Sequence, residues 1–228
     1  MQEERKQELL KILESTGYCT VEHLARCLYT SNSTIRRNLT ELEKQGYITR
    51  SHGGAELCNR IDNTPLKLRY KRNHPQKELI AERALRYIPE NAVIFLDGSS
   101  TCLHLAAHLK RRKQITVYTN SLEACSLLAN LGIPTYCLGG ELLSNSLSFV
   151  GDYAIQMAQT LYFDALFFSC SGYADGMISD YSEAEAHLRR MLVRHSRKQY
   201  FLCDSSKFGK SFPHIICRDT DITEIISE

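Results

Sequence analysis

The chain has 228 residues, 43% of them apolar and 24% charged, which is ordinary globular composition and enough for a real core. Its length suits one large domain, or a small domain joined to a medium one. A formal net charge of only +2 excludes a polycation that coats nucleic acid, but leaves room for sequence-specific binding by a few placed cations.

Three helical patterns come first. Residues 3–15 carry Leu9, Leu10, Ile12 and Leu13 on a charged background that stops at Gly17. Thr20 is placed to cap a second helix, in which Val21, Leu24, Ala25 and Leu28 follow the i, i+3, i+4, i+7 stripe. After the polar turn 29–32, a third helix points Ile35, Leu39 and Leu42 inward and ends at Gly46, a suitable left-handed cap. Residues 47–50 read as a strand and 51–55 as its turn. Helix, helix, turn, helix and hairpin in this order are the pattern of a winged helix-turn-helix, assigned to residues 1–56.

A polar stretch, 57–75, holds Pro65, Pro75 and the basic run Lys67, Arg69, Lys71 and Arg72, and reads as a linker with some helix. From 76 to 228 helices alternate with short apolar runs. A helix over 76–87 leads to the strand 92–96, one over 101–110 to 115–118, and one over 122–130 to 134–138. Further helices are expected over 153–159 and 182–195, with strands over 165–168 and 199–203. Repeated units of this kind predict an α/β domain with a mostly parallel sheet covered by helices on both faces, whose ligands bind beyond the carboxyl ends of the strands.

The nine cysteines are scattered, odd in number and without a C-x-x-C pair. The charged start lacks the apolar core of a secretory signal, and no apolar run approaches a membrane span. The expectation is therefore a reducing cytoplasm, buried thiols, no membrane partner and no structural zinc cluster. His104 and His108 have the i, i+4 spacing of metal ligands, but their helix is rich in Leu and Ala and lacks a zincin glutamate. They read as packing residues, so no metal or cofactor is expected.

Two constellations carry chemistry. With its apolar stripe buried, the third helix presents Ser33, Thr34, Arg36, Arg37, Asn38 and Thr40 on the opposite face. Short polar groups and forked guanidiniums are what the major groove reads, Arg at guanine and Asn at adenine, with Arg50 and His52 of the wing near phosphates. The second constellation gathers at strand ends: Asp97-Gly98-Ser99-Ser100-Thr101, then Thr119-Asn120-Ser121, Gly139-Gly140, and Asp204-Ser205-Ser206-Lys207-Phe208-Gly209. Small residues and hydroxyls at a helix N-terminus suit a phosphate, Lys207 supplies a cation, and Asp97 and Asp204 suit sugar hydroxyls.

Taken together these motifs resemble the DeoR family of bacterial transcriptional regulators over essentially the whole chain. The resemblance runs through Ser33-Thr34-Ile35-Arg36-Arg37-Asn38-Leu39, Leu42-Glu43, Gly46, Arg50 and His52-Gly53-Gly54-Ala55. In the second part it runs through Phe95-Leu96-Asp97, Ser100-Thr101, Thr119-Asn120-Ser121-Leu122, Gly139-Gly140, Gly151 and the 204–209 segment. It implies a regulator, usually a repressor, of carbohydrate genes. It also implies a sensor domain similar in fold to ribose-5-phosphate isomerase, a phosphorylated sugar as effector, a double-stranded DNA operator and a homo-oligomer. The sequence departs from the family pattern in three places. Asn38 stands where the family usually has Asp, Gly98 comes one place early so that Ser99 takes the usual glycine position, and Arg189-Arg190 replaces a frequent Lys-Arg.

Two other readings are set against this one. A sugar-phosphate isomerase fused to a DNA-binding module would need a carboxylate base, and none of Asp97, Asp175, Asp180, Glu183, Glu185 and Asp204 lies in a motif that fixes it as one. A second domain that only oligomerises would not need the hydroxyl loops and Lys207. The chain is read as a regulator and not an enzyme.

Overall fold

The computed structural model describes residues 2–44, 47–51, 53–57, 64–112 and 114–228. The chain divides into two compact units, Met1–Leu68 and Arg69–Glu228.

The first unit runs α1 (Gln2–Thr16), β1 (Tyr18–Thr20), α2 (Val21–Cys27), α3 (Asn32–Lys44), β2 (Ile48–Ser51) and β3 (Gly54–Leu57). Side chains start both short-range helices as the sequence requires. Thr20 Oγ1 accepts the His23 N–H at 3.2 Å, and Ser31 Oγ accepts that of Thr34 at 3.2 Å. Leu9, Leu13, Leu24, Ile35, Leu39 and Leu42 fill one core from three helices. Their burial contributes roughly 1.5–3 kcal/mol each.

The wing is a three-stranded antiparallel sheet, ordered β1-β3-β2, where a hairpin with its strand over 47–50 and its turn over 51–55 was expected. Gly54 and Ala55, assigned to the turn, belong to β3, and Ser51 pairs with Gly54. The cause is Gly54, which packs so closely on the Cys19 carbonyl and the Tyr18 ring that no side chain fits there. Short β1 was illegible because Tyr18-Cys19-Thr20 is stabilised only by its distant partner, residues 54–56. Gly46, the expected helix cap, lies outside the described residues.

Within the polar stretch a short helix forms, α4 (Leu66–Lys71), with Leu66 buried and Leu68 packed on the first core. The second unit continues with α5 (His74–Ala84), β4 (Val93–Leu96), α6 (Ser100–His108), β5 (Thr116–Thr119), α7 (Leu122–Asn130) and β6 (Thr135–Cys137). A hairpin, β7 (Glu141–Leu143) and β8 (Ser148–Val150), precedes α8 (Asp152–Gln159) and β9 (Ala165–Phe168). Then come β10 (Gly172–Ala174), β11 (Met177–Asp180), α9 (Glu183–Arg194), β12 (Gln199–Leu202), β13 (His214–Arg218) and β14 (Glu224–Ile226).

The main sheet has six strands ordered β14-β12-β9-β4-β5-β6, and every pairing is parallel. Alternate residues of each strand enter different cores. Ile94, Leu96, Phe167 and Leu202 pack with residues of α5, α6 and α7. Phe95, Leu166, Phe168 and Phe201 pack with residues of α8 and α9. A small antiparallel sheet, β10-β11-β13, and the β7-β8 hairpin were not anticipated, because their short strands carry no sustained alternation. The chain builds outward from β4 to β6, then returns to β9 on the other side of β4. The β4–β9 junction is therefore the switch point at which such sheets open a crevice at their carboxyl ends. Among the described residues no helix is long and apolar enough to cross a membrane.

Candidate functional site

On α3, Ser33, Arg36 and Arg37 are exposed, and Thr34 and Thr40 half-buried. The wing is tied to this helix, since Arg50 Nη1 donates to Thr40 Oγ1 at 3.1 Å and that hydroxyl donates to the Arg36 carbonyl at 2.9 Å. Asn38 departs from expectation. It is 1% exposed, and its Nδ2 finds no hydrogen-bond partner among the described residues. At 100° per residue, position 38 falls on the stripe of Ile35, Leu39 and Leu42 and not opposite it. The Asp-to-Asn departure therefore concerns the core and not phosphate contact. His52 lies outside the described residues. Tyr29, which sequence reasoning passed over, stands 96% exposed in the α2–α3 turn with a φ of 46°. A bulky aromatic in a polar turn was the available signal.

At the strand ends, several expected residues serve the fold. Asp97 is 2% exposed. Its Oδ1 accepts the Ser99 N–H at 3.0 Å, and its Oδ2 accepts the Ser169 N–H at 3.2 Å and Arg189 Nε at 2.7 Å. Both of its oxygens are therefore engaged in holding loops and α9. Ser99 caps α6 through Cys102 N–H at 3.2 Å, and Ser121 caps α7 through Ala124 N–H at 3.2 Å. A Cβ on Gly98 would lie 2.5 Å from the Ser148 Cβ, so this glycine admits the β7-β8 hairpin. Gly139 and Gly140 are exposed; Gly140 has a φ of 134° and abuts the Val150 carbonyl. The Ser205 N–H is taken by the Glu228 carboxylate at 3.0 Å.

Other groups do converge on the switch point. Lys207 Nζ donates to Ser169 Oγ, lies 3.4 Å from Thr101 Oγ1, and pairs with Asp204 at 3.5 Å. A second ammonium approaches the same loop, where Lys77 of α5 donates to Ser100 Oγ at 3.2 Å and to the Arg69 and Arg72 carbonyls. Lys77 was missed, although it occupies the apolar stripe shared by Ile80, Ala81 and Ala84, which was a legible anomaly. Burial, then the charge of Lys207, pushes the Lys77 ammonium down to about 7. Asp204 also accepts Asn73 Nδ2 at 3.1 Å and the Ser206 N–H at 3.2 Å. Burial opposes its charge, but Lys207 and these donors hold its carboxyl below the usual range. Asn120 donates to the Phe149 carbonyl at 3.1 Å, while its Oδ1 is buried without a partner among the described residues.

Arg189 of α9 binds Asp97 and Asp180, each at 2.7 Å, and approaches Glu185 at 3.9 Å. Burial works against its charge, and the three carboxylates more than restore it. Asp97, Asp180 and Asp204 are thus each paired with a built-in cation, an arrangement that positions loops. The ammonium groups of Lys77 and Lys207, the hydroxyls of Ser100, Thr101 and Ser169, and the α6 N-terminus together suit an anion.

Residues 5–61 match the DeoR-like helix-turn-helix domain, and residues 72–228 match the DeoR C terminal sensor domain. The chain is 34% identical over 233 residues to the L-fucose operon activator of Escherichia coli, covering 100% of this chain and 96% of that protein. It is 30% identical over 230 residues to the lactose phosphotransferase system repressor of Staphylococcus epidermidis, covering 99% and 91%. Among solved structures, ribose 5 phosphate isomerase A from Neisseria gonorrhoeae aligns with a TM-score of 0.45 at 18% identity, over 59% of this chain and 53% of that one. The matched relatives bear the names of transcriptional regulators, not enzymes.

Proposed function

The chain belongs to the DeoR family of transcriptional regulators, and from that premise we propose that it is a cytoplasmic repressor of carbohydrate genes whose operator affinity is set by a phosphorylated sugar. Residues 1–56 are the DNA-binding domain and 76–228 the sensor. Arg36, Arg37, Ser33 and Thr34 enter the major groove, with Tyr29 and Arg50 against the flanking backbone. The protein acts as a homo-oligomer, because two recognition helices on a palindromic operator raise affinity through effective concentration.

The observation that carries the sensor reading is the convergence of Lys77 and Lys207 on Ser100 and Thr101, the first turn of α6, at the β4–β9 switch point. A phosphate there replaces hydroxyl partners of both ammonium groups, and the unpartnered Asn120 Oδ1 accepts a sugar hydroxyl. Effector binding then couples to the operator through a change in the arrangement of recognition helices.

Thermal unfolding of the full chain with phosphorylated sugars and their unphosphorylated parents tests this. A true effector at a hundred times its Kd stabilises the protein by about 2.7 kcal/mol. It also releases operator DNA in a gel-shift titration. A folded protein that responds to no phosphorylated sugar, or responds equally to the parent sugars, removes the sensor reading.

A further inference from the structure

A cluster on the α5–α6 pair is left unused by this function. Each helix contributes an i, i+4 pair, His74 and Glu78 on α5, His104 and His108 on α6, and such spacing brings both members to one face. His104 is wholly buried, stacked on the Tyr70 ring at 4.0 Å and 8°, with the His74 ring 4.9 Å away edge-on. Its Nε2 lies 2.9 Å from the Tyr70 carbonyl, which only accepts, so Nε2 carries a hydrogen. Its Nδ1 lies 2.5 Å from Glu78 Oε1, a separation bridged by a hydrogen. A metal ion bonded to both atoms at about 2.0–2.1 Å takes the place of that hydrogen and widens the gap. The other carboxylate oxygen is satisfied, since His108 Nε2 stands 2.7 Å from Oε2.

We propose that His74, Glu78 and His104 bind a divalent first-row transition-metal ion, with His108 positioning the carboxylate. Their ligand atoms lie within 4.8 Å of one another, close enough for one ion to draw together. Two imidazoles and one carboxylate form a donor set suited to zinc and its neighbours. A ligand ring whose second nitrogen donates to a backbone carbonyl, as His104 does to Tyr70, is the usual support for such an ion. His74 is exposed, so the ion enters from solvent, whereas the buried ring and its stacked tyrosine are held ready. Bound there, the ion clasps α5 to the helix whose first turn carries Ser100 and Thr101.

The test uses the full chain, stripped with EDTA and titrated with Zn²⁺ against a chromogenic chelator, then with Co²⁺ followed by visible absorption. The expected result is one equivalent bound per chain, a rise in melting temperature, and a Co²⁺ spectrum without intense thiolate charge transfer. His74→Ala, at an exposed position, is expected to fold normally and weaken binding by about tenfold or more. Glu78→Gln is expected to abolish binding, and the control His187→Gln, on α9, to leave it unchanged. Zinc affinity unaltered in both His74→Ala and Glu78→Gln overturns the proposal, as does a thiolate spectrum. Failure of the folded wild-type chain to retain an equivalent also overturns it, and means that the hydrogen-bonded cluster only packs α5 against α6.

Discussion

Arg189 reaches from α9 to Asp97 at the end of β4, its Nε 2.7 Å from Oδ2, with side chains only 5% and 2% exposed. This pair sets the loop that leads into α6, since the same carboxylate holds the Ser99 and Ser169 N–H groups. Removing one member of such a pair strands the other as a buried charge. Arg189→Leu is expected to destabilise the protein by roughly 3–5 kcal/mol, read from urea unfolding. Arg189→Lys retains charge but not the fork that spans Asp97 and Asp180, so its loss is smaller. A wild-type midpoint for Arg189→Leu would contradict this account.

On α3 the exposed and buried polar residues are expected to separate. Arg36→Ala or Arg37→Ala weakens operator binding by about 1–3 kcal/mol where the residue reads a base. Uniform weakening on all sequences instead marks a phosphate contact. Asn38→Leu replaces a buried amide whose Nδ2 lacks a partner among the described residues, and is expected to raise the melting temperature with operator affinity unchanged. Fluorescence anisotropy on operator DNA checks all three. A folded Asn38→Leu protein that no longer binds would return Asn38 to the contact surface.

Lys207 faces the crevice and has no place in the helix-turn-helix unit. Lys207→Ala is expected to retain operator affinity while losing release by the phosphorylated sugar, measured in the same anisotropy titration. Undiminished release by that variant would exclude Lys207 from the effector site.

Asp204 links stability to acid pH. Its carboxyl is held below its ordinary value, so the folded state binds its proton more weakly than the unfolded state does. The stabilisation is fully present above the unfolded value of about 3.9 and is lost as pH falls through the lower folded value. Asp204→Asn is therefore expected to lower stability at neutral pH and to flatten its dependence on pH at the acid end. Parallel acid-unfolding curves for the two proteins would show that the carboxylate makes no such contribution.

How much of this was legible follows from the range of the forces. Thr20, Ser99, Ser121 and Ser182 cap their helices with bonds three residues long, so the sequence already contained both partners. His104 and His108 were visible as an i, i+4 pair, but Glu78, which faces both, lies 26 and 30 residues away on another helix. The pair therefore read as packing until α5 was laid against α6.

By itself the sequence determined the helix-turn-helix order, the βα alternation with its parallel sheet, and the strand ends at which small and hydroxylated residues collect. Periodicity, capping and turn chemistry are local, and local terms act before the chain is folded. Only the tertiary structure decided which of those residues meet. It joined Asp97 to Arg189 across 92 residues and Thr101 to Lys207 across 106. It also gave Asp97, Ser99 and Ser121 structural partners and turned Asn38 into the core. Those outcomes depend on strand order and helix rotation, which are set when buried charges and polar groups must find partners across the whole domain.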